Sequence, residues 1–137
     1  MEKQRGFTLL ELLMVVIIIG ILASMALPQF LKSTERARSG QVISLLSSLR
    51  ASEARYYAQN SSVYTTTLAN LDITMPATMP VGWDTPAVTL VPNLAKVNRN
   101  SGDASVSGKQ LQINLDTGVL CASDAGSATT WGVSATC

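Results

Sequence analysis

The sequence predicts an α+β fold, in which a long N-terminal α-helix over about residues 7–58 packs against a small C-terminal antiparallel β-sheet head. Three observations predict this fold. Residues 12–31 are uncharged and almost wholly aliphatic. Apolar residues then recur at spacings of three and four, which is the period of an amphipathic helix. Short segments of alternating polarity, separated by turn residues, follow in the last third of the chain.

The apolar stretch at residues 12–31 is long enough to cross a bilayer, since a hydrocarbon core of about 30 Å needs about 20 apolar residues in a helix. It is apolar on all sides, which suits lipid better than a half-buried surface. It is too long for the apolar core of a conventional secretory signal, which has about 7–15 residues. A plain single-pass anchor fits the length but leaves the acidic residue Glu11 unexplained.

Glu11 stands directly before the apolar stretch, and an acidic side chain near lipid is costly. Two interpretations are open. Glu11 is either a boundary charge that reaches the lipid headgroups, or a functional charge that needs a positive partner close by. Position alone does not separate the two.

The second half of the helix carries an apolar stripe on one face and polar residues on the other. The stripe consists of Val42, Leu45, Leu46 and Leu49, with Tyr56 extending it. We expect the helix to end near Ala58, before the turn residues that follow it. Within the apolar half, Gly20 weakens the helix and Pro28 removes a backbone hydrogen bond, so a kink is expected there.

The head, residues 59–137, is predicted to form short strands at residues 87–91, 95–97, 110–115 and 119–122. The sequence Asp116-Thr117-Gly118 between the last two of these is a hairpin signal. A final strand is expected from Thr130 to Val133. The polar segment 123–127 before it is predicted to lack order of its own.

Composition excludes most catalytic sites. The chain has 137 residues, 10 Lys+Arg, 9 Asp+Glu, two Cys and no His. Without His there is no Ser-His or Cys-His pair and no His-containing zinc site, so we expect neither an enzyme nor a bound cofactor or metal. The near-balanced charge argues against a nucleic-acid partner, because only Lys96, Arg99 and Lys109 offer a basic patch.

The segment Gly6-Phe7-Thr8-Leu9-Leu10-Glu11, preceded by a short charged leader and followed by the aliphatic stretch and Pro28, resembles a type IV prepilin. The resemblance covers about residues 1–60, and the head matches only in general layout. It implies four parts: a leader peptide at 1–6, a transmembrane and filament-core half of the helix at 7–31, an amphipathic half at 32–58, and the loop and sheet head at 59–137.

The resemblance also implies roles for single residues. A membrane peptidase would cut after Gly6, and the new N-terminal amine of Phe7 would be methylated. Glu11 would meet the Phe7 amine of a neighbouring subunit during assembly, which favours register more than raw stability. The segment between Gly20 and Pro28 would stretch or melt in the filament.

Cys121 and Cys137 are expected to pair, since two cysteines in an exported domain form a disulfide more often than not. Their layout is similar to the C-terminal loop that many type IV pilins close in this way. The resemblance therefore implies a structural pilus subunit whose partners are copies of itself, the prepilin peptidase and methyltransferase, and the pilus assembly machinery. It would lie in the bacterial inner membrane first and in a cell-surface pilus afterwards.

Three alternatives stay open at this point. The same helix occurs in pseudopilins of type II secretion systems, which form a short periplasmic filament. A competence pilin would bind DNA through its few basic residues. A membrane-anchored binding module that never assembles would keep Lys3 and Arg5 in the mature protein.

Overall fold

The structure is a computed structural model that describes residues 6–100 and 106–137. The predicted leader therefore lies outside the described residues except for Gly6. The chain divides into two compact units, Met1–Ser33 and Thr34–Cys137, which are described separately below.

Helix α1 runs from Leu9 to Gln59, within two residues of the predicted bounds. It continues through both Gly20 and Pro28, and whether it bends there stays a prediction. Backbone bonds from the Asn60 and Ser62 N–H groups to the carbonyls of Tyr56 and Tyr57 close its C-terminal end. The apolar stripe in its second half and the turn residues after it explain why its C-terminal end could be predicted closely.

In the first unit, α1 is the only regular element among the described residues, and its apolar side chains are exposed. The helix is long and apolar enough to cross a membrane by length and composition. An exposed apolar surface of this size marks contact with lipid or with another protein.

The second unit contains a four-stranded antiparallel sheet in the order β1-β2-β3-β4. The strands are β1 Ala87–Leu90, β2 Asn93–Asn98, β3 Gln110–Asn114 and β4 Leu120–Ala122. All four strands were predicted, that at 110–115 from its strict alternation, and each is confirmed with changes at its ends. A short 3-10 helix, Leu68–Asn70, precedes the sheet.

The core of this unit lies between the sheet and the amphipathic half of α1. Val42, Leu46 and Leu49 have no exposed surface and pack against the inward side chains of β2 and β3. These inward side chains are Ala95, Val97, Leu111 and Ile113. The predicted stripe is confirmed at Val42, Leu46 and Leu49, and Tyr56 is half-buried against the core, whereas Leu45 lies outside the core.

The predicted strand over residues 130–133 is wrong. The chain forms a second helix, α2, over Ala125–Trp131. Asp124 begins it, since its Oδ1 accepts hydrogen bonds from the N–H groups of Gly126 and Ser127, at 3.0 and 3.1 Å. Gly132 ends it in the left-handed conformation, at φ 73°. The expectation that the polar segment 123–127 lacks order fails for the same reason: its polar residues cap a helix.

Candidate functional site

Glu11 and Thr8 form a reciprocal cap at the first turn of α1. The Glu11 Oε2 atom accepts hydrogen bonds from the Thr8 N–H group at 2.9 Å and from the Thr8 hydroxyl at 2.8 Å. The Glu11 N–H group donates in return to Thr8 Oγ1 at 3.2 Å. This is the capping box, in which two unpaired helix-start donors are satisfied at once. Thr8 was quoted for its place in the motif, and its capping role was missed, although Thr-x-x-Glu is a readable signal.

Gly6 and Phe7 lie immediately before this cap and are both exposed. The Phe7 side chain is 87% exposed. A Cβ atom added to Gly6 would meet nothing within 4 Å, so the protein itself does not require glycine there. A requirement for a small residue at position 6 would therefore come from whatever approaches this bond.

Gly20 and Pro28 lie further along the exposed part of α1, away from Glu11. A Cβ atom on Gly20 would also meet nothing within 4 Å. Nothing among the described residues of the first unit explains why glycine stands there. Phe7 and Glu11 thus lie within about one helical turn at the start of α1. Gly20 and Pro28 lie further along the same helix and do not join them.

The second unit contains a buried ion pair that sequence analysis missed. Arg99 donates from Nε to Glu35 Oε1 and from Nη2 to Glu35 Oε2, both at 2.8 Å. Trp131 Nε1 also donates to Glu35 Oε1, at 3.3 Å. The Arg99 guanidinium lies 5.5 Å from the ring centre of Trp83, within the range of a cation–π contact.

The basic patch expected from Lys96, Arg99 and Lys109 lacks Arg99 in the structure. Its side chain has no exposed surface, so it is not available to DNA alongside Lys96 and Lys109. Lys109 in turn lies 3.5 Å from the carboxylate of Asp124. A signal for the burial of Glu35 was present in the sequence, because Glu35, Ser39 and Val42 share one helix face at spacings of four and three.

A second polar cluster joins α1 to the segment after the 3-10 helix. Arg55 donates two hydrogen bonds to Asp72, at 2.6 and 2.8 Å, and the Ser52 hydroxyl donates to the same carboxylate. These bonds, led by those from Arg55, lower the pKa of Asp72 to about 2. The cluster is already satisfied internally, so it has a structural role.

Cys121 and Cys137 form a disulfide, with their Cα atoms 5.3 Å apart. Cys121 lies in β4, and Ser134 pairs beside it through the bonds Ala122 N–H to Ser134 O and Ser134 N–H to Leu120 O. The chain end is therefore tied to the sheet by both backbone pairing and the covalent bridge. Within residues 6–100 and 106–137, no cluster of three metal-binding side chains is found.

Comparison with known proteins finds matches that include the N-terminal segment with Gly6, Phe7 and Glu11. A family model described as the prokaryotic N-terminal methylation motif matches residues 1–27. The type II secretion system core protein G of Klebsiella pneumoniae is 41% identical over 66 residues, which is 48% of this chain and 47% of that protein. The corresponding protein of Vibrio cholerae is 42% identical over 72 residues, 53% of this chain and 49% of that protein.

A fimbrial protein of Pseudomonas aeruginosa is 48% identical over 50 residues, which is 36% of this chain and 32% of that protein. The chain thus matches about half the length of the core protein G relatives and about a third of the fimbrial protein. No solved structure matches significantly. The N-terminal part of the chain is therefore similar to type IV pilins and pseudopilins, through the methylation motif and through the relatives that share it.

Proposed function

We propose that this protein is a structural subunit of a type IV pilus, cleaved after Gly6, methylated at the Phe7 amine and assembled through α1. The observation that carries the proposal is the motif at residues 6–11 in front of an exposed apolar helix. Such a helix needs lipid before assembly and neighbouring helices after it. The Cys121–Cys137 bridge supports a pilus, because its layout is similar to the closed C-terminal loop of many pilins.

Cleavage would create the positive partner that Glu11 otherwise lacks. The new amine at Phe7 would carry charge one helical turn before Glu11. In the capping box, both hydrogen bonds from Thr8 go to Oε2 of Glu11. Oε1 then serves as the acceptor for an amine, from the same chain or from a neighbour, without breaking the helix cap.

Processing is tested by mass spectrometry of the mature protein. We expect a chain that begins at Phe7 and carries one additional methyl group. A side chain larger than Ala at Gly6 should block cleavage, since the protein leaves space there and only the approaching peptidase would meet it. Recovery of Met1 or Lys3 in assembled filaments would contradict the proposal.

The role of Glu11 is tested by two substitutions that separate charge from capping. Glu11→Gln keeps an oxygen that accepts from Thr8 but loses the negative charge, whereas Glu11→Leu loses both. We expect both variants to insert into the membrane at least as well as the wild type, because a charge near lipid is removed. Both should yield few filaments. Wild-type yield from Glu11→Gln would mean that Glu11 acts only as a helix cap.

A second candidate function is that of a type II secretion pseudopilin. It is favoured by the relatives named core protein G, which align over more of this chain than the fimbrial protein does. Deletion of the gene distinguishes the two. If the protein is a pilus subunit, the deletion strain should lose its sheared surface filaments and continue to secrete exported enzymes. If the protein is a pseudopilin, the deletion strain should stop secreting these enzymes.

A further inference from the structure

A groove runs along the second unit between α1 and the loop that precedes Trp83. It has a volume of about 600 Å³. Its polar residues are Arg38, Gln41 and Thr78, and its apolar wall includes Leu45, Pro76, Met79 and Val81. A single cationic group beside an apolar wall fits a molecule with one anionic end and one hydrocarbon part.

The apolar wall of this groove is held in place from inside the protein. Arg99 Nη1 donates to the Val81 carbonyl at 3.1 Å, and Arg99 is itself fixed by its ion pair with Glu35. The Val81 side chain is nevertheless 72% exposed. The backbone of the groove wall is thus bonded to a buried ion pair, while the Val81 side chain stays exposed to a ligand.

The charge of Arg38 is not compensated within the part of the chain that the structure describes. No carboxylate there forms an ion pair with it. The acidic residue nearest in sequence, Glu35, is buried and bound to Arg99. Arg38 also follows the apolar stretch closely in sequence, since that stretch ends at Leu31. Basic side chains beside a membrane span attract anionic lipid headgroups.

We propose that this groove binds an anionic phospholipid while the protein is still anchored in the membrane. Arg38 binds the phosphate, and the apolar wall at Met79 and Val81 contacts the glycerol and the upper acyl chain. The proposal rests on the membrane-anchored stage of the proposed function. It requires neither leader cleavage nor the Glu11 interaction, so either proposal can fail alone.

The test uses the full-length protein in nanodiscs that contain phosphatidylglycerol and phosphatidylcholine, with lipid selectivity measured by native mass spectrometry of the released complex. Arg38→Gln removes the charge, and Val81→Asn makes the wall polar without adding a charge. Lys96→Gln is the matched control, because it removes one positive charge elsewhere on the same unit. We expect Arg38→Gln to lower the preference for phosphatidylglycerol about fivefold. Val81→Asn should lower the amount of both lipids that the protein retains, and Lys96→Gln should leave both the preference and the amount unchanged.

Three results would overturn the proposal. Equal lipid preference in Arg38→Gln and the wild type would mean that Arg38 does not bind the headgroup. Full competition by glycerol 3-phosphate, which has no acyl chains, would identify a plain phosphate site in which the apolar wall has no part. Unchanged lipid preference together with reduced filament yield in Arg38→Gln would identify the groove as a contact with a second copy of the chain.

Discussion

Two glutamates of α1, Glu35 and Glu53, are buried in the second unit. The groups around Glu35 compensate its negative charge well, whereas those around Glu53 compensate its charge poorly. Glu35 receives two hydrogen bonds from Arg99 and one from Trp131. Glu53 receives a hydrogen bond from the Thr65 N–H group at 3.1 Å, and its Oε1 atom has no partner among the described residues. Burial raises the pKa of Glu53, although the bond from Thr65 opposes this.

The same substitution should therefore have opposite effects at the two positions. Glu53→Gln removes a poorly compensated buried charge and keeps an oxygen for Thr65, so we expect a gain of about 1 kcal/mol in unfolding free energy at neutral pH. Glu35→Gln removes the negative charge that the Arg99 guanidinium binds in the core, so we expect a loss of about 3 kcal/mol. Thermal unfolding of the full-length variants in one detergent measures both, and changes of the same sign would contradict this account.

The raised pKa of Glu53 also fixes the sign of a pH effect. The folded protein holds a proton on Glu53 at pH values where the unfolded chain has already released it. The contribution of Glu53 to stability is thus most favourable below its ordinary pKa of about 4.5, and it declines as pH rises through the higher folded value. Glu53→Gln should abolish this part of the pH dependence, which unfolding curves across the acidic range would measure.

At the scale of the elements, the sequence predicted what has a regular period and missed what depends on single contacts. The second half of α1 has a period of 3.6 and β3 alternates with a period of 2, and the structure confirms both elements. Helix α2 is short, and its sequence AGSATTW has no strong period. Its buried Trp131 forms a hydrogen bond to Glu35, far away in sequence, which a local pattern cannot reveal. The buried pairing of Arg99 was missed for the same reason.

The cap of α2 gives a prediction for this element. Asp124→Ala removes the acceptor for the N–H groups of Gly126 and Ser127 and should destabilise α2 by about 1 kcal/mol. Asp124→Asn is the control, since its amide oxygen can accept the same two bonds. Hydrogen exchange over Ala125–Trp131 should become faster in the Ala variant and stay close to wild type in the Asn variant. Equal exchange in all three proteins would show that packing of Trp131 alone holds the helix.

The turn between β3 and β4 is held by an arginine from α1. Arg50 Nε donates to the Leu115 carbonyl at 3.0 Å, and Arg50 Nη2 donates to the Asp116 carbonyl at 3.3 Å. Gly118 has a φ of 77°, and a Cβ atom there would lie 2.9 Å from Arg50 Cζ. Glycine is therefore required for its backbone conformation and also for the close approach of the guanidinium.

Gly108 provides a matched control for this turn. It also has a positive φ, 74°, but a Cβ atom there would meet nothing within 4 Å among residues 6–100 and 106–137. Both Gly108→Ala and Gly118→Ala should lose about 1–2 kcal/mol from backbone strain. Gly118→Ala should lose more, because it also displaces Arg50 from its two carbonyls. Denaturant unfolding of the two variants measures the difference, and equal losses would show that Arg50 moves aside at no cost.

At the scale of the whole molecule, the two units differ in whether their apolar side chains are exposed or buried. In the first unit the apolar side chains of α1 are exposed, whereas the second unit buries its apolar residues within itself. The first unit therefore depends on lipid or on other subunits, and the second has a hydrophobic core of its own. Variants in the second unit can thus alter stability while the membrane anchor is unchanged.

Removal of the disulfide tests how much the stability of the second unit depends on the Cys121–Cys137 bridge. Cys121 and Cys137 are 16 positions apart, and closing a loop of about this size contributes about 3 kcal/mol in the chain-entropy model. In the double variant Cys121→Ser with Cys137→Ser, we expect that loss of stability and an unchanged ability to insert into the membrane. Because Trp131 stays bonded to Glu35, α2 should remain protected, and faster hydrogen exchange should be confined to about residues 133–137. Exchange that also increases throughout α2 would mean that the bridge, and not the buried Trp131, holds this helix against the sheet.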